Sequence, residues 1–274
     1  GNQCPITPRH LLSYGLNFSF GRNPKHCTDA QSLEEVFCAG ELVEPPGTQH
    51  RYSNVTGWFI QQIIEAVSRK TFGDAMQEDL FSPLGLQSTV FSASLSGRPI
   101  VPVSLVNEAG GLEHIFGRPA DENAAAFHPK ACGIAGVFMT VGDALRSLEV
   151  LMNSGVDARG GQFLSQELVQ EVFTNQWEGK STARHGLGLG MQPANWREGE
   201  FTPEARTALK HLAFFRGGTG FTVWVSQAPR FSLVFAPAPY ETAELRERGE
   251  AEMKLQYHLA QGNVVRDILN ELCG

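Results

Sequence analysis

Two short stretches hold the side chains best suited to chemistry on a small molecule. Tyr52-Ser53-Asn54 follows Pro46-Gly47 at the mouth of a strong helical pattern, and Gly217-Gly218-Thr219-Gly220 follows Arg216 and feeds a β-rich run. A phenol, with an ordinary pKa of about 10, acts as a base only when neighbouring cations pull it down; otherwise it is a donor. Asn54 can offer an amide to a substrate carbonyl, and backbone N–H groups at Gly217, Gly218 and Thr219 can form part of an oxyanion site beside the positive charge of Arg216. Tyr52 and Asn54 are therefore the catalytic candidates, and Arg216, Gly217, Gly218 and Thr219 the substrate-binding ones. Together they describe a cleft awaiting a nucleophile. Each also has a plain reading: a tyrosine that caps a loop, a hairpin turn, a solvated arginine.

The nucleophile is not supplied by any familiar motif. There is no Gly-x-Ser-x-Gly elbow, and none of the lysines (Lys25, Lys70, Lys130, Lys180, Lys210, Lys254) lies three residues after a serine. His-Glu-x-x-His and a Walker loop are missing, and Gly186-x-Gly-x-Gly190 sits in a strand-like context rather than before a helix. Cys4, Cys27, Cys38, Cys132 and Cys273 are odd in number and hold no Cys-x-x-Cys pair, which points to incidental thiols. His50, His114, His128, His185, His211 and His258 share no ligand spacing, and His10 reads as a helix cap or loop anchor. No metal and no cofactor is expected.

The elements that must position these groups follow from periodicity. Trp58, Phe59, Ile60, Ile63, Ile64 and Val67 recur at helical spacing over Val55–Arg69, and a second amphipathic stretch, Asp74–Phe81, runs into Ser82-Pro83-Leu84-Gly85. Arg98–Ala131, rich in Gly, Pro and Ala, reads as long loops. Helices are expected over Asp143–Asn153, with Thr140 as cap and Gly155 as stop, over Gln166–Trp177 after Ser165, and over Ala243–Leu272. The runs 221–226 and 231–235, joined by Gln-Ala-Pro-Arg, predict a hairpin.

With 274 residues, 42% hydrophobic and 19% charged, the chain is long enough to bury a sizeable core, and it carries no repeat or linker. A net charge of -7 argues against nucleic acid or an anionic membrane as partner. No apolar run reaches the length of a membrane span and the first residues lack a signal-peptide pattern, so a cytoplasmic protein acting on a small-molecule substrate is expected.

The stretch from Pro46 to Asn54, the helix pair after it and Ser82-Pro83-Leu84-Gly85-Leu86 resemble the serine β-lactamase-like superfamily: class C β-lactamases, penicillin-binding-protein-like esterases and lovastatin-type polyketide acyltransferases. Further landmarks agree in order: Ile6-Thr7-Pro8-Arg9-His10-Leu11-Leu12, Ala131-Cys132-Gly133-Ile-Ala-Gly136, Gly186-Leu-Gly-Leu-Gly190, and Gly217-Gly218-Thr219-Gly220-Phe221. The resemblance implies a mixed α/β (α+β) fold, an antiparallel sheet packed by helices. It spans 1–274 as a single domain, with a helical and loop region over about 40–180 and a sheet hairpin and final helix over about 184–274. It implies a hydrolase or acyltransferase acting on an ester, thioester or amide.

The family's Ser-x-x-Lys segment and first strands precede the part matched here, and Phe215-Arg216 stands where it usually carries Lys or His. The nucleophile is therefore expected on a segment outside this chain. A partner chain or second copy is expected to cover the sheet edge beside the hairpin. The alternatives are a non-hydrolytic cyclisation or isomerisation through Tyr52, or a non-catalytic binding protein.

Overall fold

The computed structural model describes residues 5–92, 100–106, 112–192, 196–236 and 250–273. Contacts divide the chain into two compact units. The first comprises Gly1–Ile100, Phe116–Asp143 and Trp177–Ala183, and the second Val101–Ile115, Ala144–Gln176 and Arg184–Gly274.

The first unit is mainly helical, and its helices start where side chains can satisfy the leading N–H groups. Helix α1 (Pro8–Leu12) opens on a reciprocal cap: Thr7 Oγ1 accepts the His10 N–H and His10 Nδ1 accepts the Thr7 N–H, both at 3.3 Å. This is the anchoring role expected of His10. Strand β1 (Phe18–Ser19) pairs antiparallel with β2 (Glu41–Leu42), and between them Asp29 caps α2 (Ala30–Cys38). Helix α3 (Asn54–Ser68) ends on Arg69 in the left-handed conformation; α4 (Phe72–Met76), capped by Thr71, continues into a π turn over Gln77–Phe81. Asp121 caps α5 (Glu122–Phe127). Val55 and Trp58, one turn apart on α3, meet Leu33 and Phe37 of α2, Phe127 of α5, Cys27 and Cys132 in one buried cluster.

Two glycines let α3 come close to the 131–136 segment. A Cβ built at Gly57 would lie 2.5 Å from the Gly133 carbonyl oxygen, and one at Gly133 only 2.4 Å from that of Gly57. Gln61, one turn further along α3, fixes the contact by accepting the Gly133 N–H at 2.9 Å.

In the second unit, β3 (Val103–Val106) pairs antiparallel with β4 (Leu112–Ile115). Helix α6 (Val141–Met152) belongs to this unit from Ala144 onward, and Ser165 caps α7 (Gln166–Val172). The main sheet has the order β5-β6-β7-β8, all antiparallel: β5 (Gly190–Met191), β6 (Leu212–Arg216), β7 (Thr222–Gln227) and β8 (Arg230–Phe235). Alternation sends Ala213, Val223 and Val225 to one face, against Leu148, Val169 and Phe173. The opposite face carries Leu212 and Trp224 into a core with Ala205 of α8 (Pro203–Ala208) and with Val265 and Leu269 of α9 (Glu250–Cys273). Burial on both faces explains why β7 reads as an almost continuous apolar run.

The fold is thus of the mixed α/β class with antiparallel sheets, and it departs from the sequence reading at specific points. The 98–131 segment is not all loop: it holds the β3–β4 ladder and α5, elements of four to six residues too short to show periodicity. Helix α7 ends at Val172, not Trp177, because Phe173 takes a non-helical cap conformation. Residues 243–249 of the expected final helix lie outside the described residues, as does Cys4.

Replacing Gly57 by alanine sets two effects against each other. Helix propensity favours alanine by about 1 kcal/mol, whereas a methyl group 2.5 Å from a carbonyl oxygen forces α3 and the 131–136 segment apart, at a typical overpacking cost of about 1–3 kcal/mol. Overpacking is expected to win, so Gly57→Ala lowers the urea midpoint at unchanged slope; a raised midpoint would show that the contact does not limit packing.

Candidate functional site

Tyr52 is held by the backbone that precedes it. The 43–53 segment is laced to the chain after α1: Val43 N–H donates to Asn17 O at 2.9 Å, Gly47 N–H to Gly15 O at 2.8 Å, and Arg51 N–H to Tyr14 O at 2.7 Å. Gly47 has φ +77°, and a Cβ at Gly15 would stand 3.3 Å from Gly47 Cα, so the lacing needs both glycines. Tyr14 itself takes φ 54°. Its ring meets that of Tyr52 with centroids 4.9 Å apart, and His50 stands edge-on between Tyr14 at 6.0 Å and Trp177 at 5.6 Å. Buried Trp177 closes the chain of rings by donating its indole N–H to Ser13 O at 2.9 Å.

The phenol of Tyr52 is fixed at its outer end by a polar chain. Its O–H donates to Asn54 Oδ1 at 3.3 Å, and Asn54 Nδ2 donates to Asp121 Oδ2 at 2.9 Å and to Asn123 Oδ1 at 3.1 Å. Asp121 uses its other oxygen to cap α5, accepting the Ala124 N–H at 2.9 Å, while Asn123 Nδ2 donates to Pro24 O at 3.0 Å. Asn54 is thus the first residue of α3 and a bridge between Tyr52 and α5. Both of its amide hydrogens are committed within the unit, so what it offers Tyr52 is an oxygen.

Charge and burial set the protonation of the site. Tyr52 is 65% exposed overall, but burial of its inner part, followed by the field of the Asp121 carboxylate, raises its pKa above the ordinary phenol value. Tyr14 is pushed up further, first by burial and then by Tyr52, whereas burial lowers His50. Tyr52 is therefore a neutral phenol at physiological pH, a proton donor rather than a phenolate base.

In the second unit the glycine turn links β6 to β7. Gly217 N–H donates to Phe221 O at 2.7 Å and Gly220 N–H to Gly217 O at 3.0 Å. The N–H groups of Gly218 and Thr219 make no backbone hydrogen bond among the described residues, so they are the donors this turn can present. Arg216 shares a face of β6 with Phe214, and its guanidinium carbon lies 5.0 Å from the Phe214 ring centroid and 5.7 Å from that of Trp224. That is the face covered by α9.

Tyr52 and Asn54 stand out in the sequence as candidates, whereas the contributions of Asp121, Asn123 and Tyr14 appear only in the fold. Asp121 had a legible signal, an acidic residue immediately ahead of the short run Glu122-Asn-Ala-Ala-Ala-Phe127, which is a helix start.

Comparison with known proteins adds the family. A Beta-lactamase family profile matches residues 1–249. A protein of Escherichia coli O157:H7, provisionally named D-alanyl-D-alanine carboxypeptidase, is 30% identical over 192 residues, 65% of this chain and 41% of its own length. The chain thus spans less than half the length of that curated relative. Among solved structures, the penicillin binding protein of Bacillus halodurans aligns with TM-score 0.61 and 15% identity over 87% of this chain and 70% of that one. A mutant of the simvastatin synthase LovD of Aspergillus terreus aligns with TM-score 0.60 and 18% identity over 94% and 69%. Such identities show a common fold, and with the profile extending over most of its residues, the chain belongs to the Beta-lactamase family.

Proposed function

We propose that this chain provides the proton-transfer part of a serine acyl-transfer site, as a hydrolase or acyltransferase acting on an ester, thioester or amide of a small molecule. The observation that carries the reading is the Tyr52 phenol donating to Asn54, with Asn54 in turn anchored on Asp121. A phenol held neutral and aimed by a fixed partner can give its proton to a departing alcohol, thiol or amine and recover it from the incoming nucleophile. Support for the reaction class comes from the carboxypeptidase name of the Escherichia coli relative.

The attacking group is proposed to be a Ser-x-x-Lys serine outside these 274 residues, since no serine here has a lysine three positions later. The serine's proton would pass to the lysine of that same segment as its oxygen bonds the acyl carbon, and the leaving group takes a proton from Tyr52; water or an acceptor alcohol then attacks the acyl carbon, giving its proton to Tyr52, while the lysine returns a proton to the departing serine oxygen.

A serine-directed fluorophosphonate tests the division of labour. The 274-residue chain alone is expected to remain unlabelled and to hydrolyse p-nitrophenyl esters no faster than its Tyr52→Phe variant; a burst of nitrophenol from the chain alone would contradict the reading. When the chain is joined to a segment bearing Ser-x-x-Lys, labelling should appear, and Tyr52→Phe should lower turnover by about a hundredfold or more. Unchanged turnover would remove Tyr52 from the mechanism. Because the Tyr52 pKa is raised, the neutral donor persists through the ordinary phenol range, and turnover should fall only as pH rises beyond it.

A further inference from the structure

The turn that ends α1 carries Tyr14 in the left-handed backbone conformation, with φ 54°. A residue with a Cβ is disfavoured there, so the surrounding structure must hold it. The donors of the turn are engaged locally: Ser13 N–H donates to Arg9 O at 3.0 Å, Tyr14 N–H to Leu11 O at 3.1 Å and Gly15 N–H to His10 O at 2.7 Å. The carbonyl of Ser13, the residue that closes α1, lies beyond the reach of intrahelical donors. It receives the Trp177 indole N–H at 2.9 Å, from a residue 164 positions away in sequence. Ser13 and Trp177 are both buried.

That bond acts directly on the torsion at Tyr14. The Ser13 carbonyl and the Tyr14 N–H belong to one rigid peptide plane, and φ of Tyr14 is the rotation of this plane about the bond to Tyr14 Cα. With the indole on its carbonyl end and the Leu11 carbonyl on its N–H end, the plane is gripped from both sides. Tyr14 in turn carries two contacts to the Tyr52 segment. Its ring meets the Tyr52 ring at 4.9 Å, and its carbonyl accepts the N–H of Arg51, the residue before Tyr52. Trp177 opens Trp177–Ala183, a segment that belongs to the first unit although the chain on either side of it belongs to the second.

We propose that Trp177 is a positioning residue for Tyr52: its indole N–H, by holding the Ser13–Tyr14 peptide plane, keeps Tyr14 left-handed and so seats the Tyr52 phenol. Its importance for turnover rests on the acyl-transfer reading, whereas the seating itself does not. A buried tryptophan that served packing alone would be replaceable by an apolar ring system of the same shape. A positioning tryptophan is not, because its N–H is the group that grips the turn.

The test is a pH titration of 13Cζ-tyrosine NMR signals in the 274-residue chain. Two replacements remove the indole N–H: Trp177→Phe, and incorporation at position 177 of benzothienylalanine, which has the shape of tryptophan with sulfur in place of N–H. Both are expected to bring the Tyr52 inflection down toward the ordinary phenol value of about 10 and to weaken cross-relaxation between the Tyr14 and Tyr52 rings. Tyr14→Gly, which takes the left-handed backbone without strain but lacks the ring, should also lower the inflection, and adding Trp177→Phe to it should change nothing further. Trp224→Phe, at a buried tryptophan of the second unit, should leave Tyr52 unmoved. An unmoved Tyr52 in the benzothienylalanine protein, additive effects of Tyr14→Gly and Trp177→Phe, or an equal shift in Trp224→Phe would overturn the proposal. Should Trp177→Phe fail to fold, the analogue, which fills the same space, still decides it. Unchanged turnover of the joined chain in Tyr52→Phe would instead remove the acyl-transfer reading and leave the titration result standing.

Discussion

The backbone contact between Gly57 and Gly133 is the constraint on which the first unit depends. It permits α3 to lie against the 131–136 segment with a carbonyl where two Cβ atoms would otherwise stand. Because Asn54 is the first residue of α3, the same closeness brings its amide to Asp121 and Asn123 at the start of α5. Small residues where α3 meets the 131–136 segment thus lie one turn from the polar group of Asn54.

Two influences on Tyr52 act in the same direction. Burial against Tyr14 disfavours the phenolate, and the carboxylate of Asp121, reached through Asn54, disfavours it again. Asp121 performs two tasks with two oxygens, capping α5 and anchoring Asn54, so its position is fixed by secondary structure as well as by the site. That coupling makes the start of α5 part of the candidate site, although no atom of α5 bonds Tyr52 directly.

Much of this was legible in the sequence. The apolar spacing of Trp58, Phe59 and Ile63 marks α3, the Thr140 and Ser165 caps mark two helix starts, and Pro229 sits in the turn between β7 and β8 as its neighbours predict. Tyr52 and Asn54 were visible because they are close in sequence and stand at the start of a strong helix. Asp121 reads in the sequence only as a helix start, because its relation to Asn54 spans 67 residues and exists only after the helices pack. The direction of Arg216 was hidden for a different reason. Its side depends on strand register, and Phe214 opposite Trp224 places Arg216 on the α9 face.

The central claim is that this framework holds Tyr52 as a neutral proton donor. The direct measurement is the ionisation of Tyr52 in the 274-residue chain, followed by pH titration of 13Cζ-tyrosine NMR signals and assigned with Tyr52→Phe. The account predicts an inflection above the ordinary phenol value of about 10, moved downward when Asp121→Asn removes the nearby charge. An inflection at or below the ordinary value would contradict it.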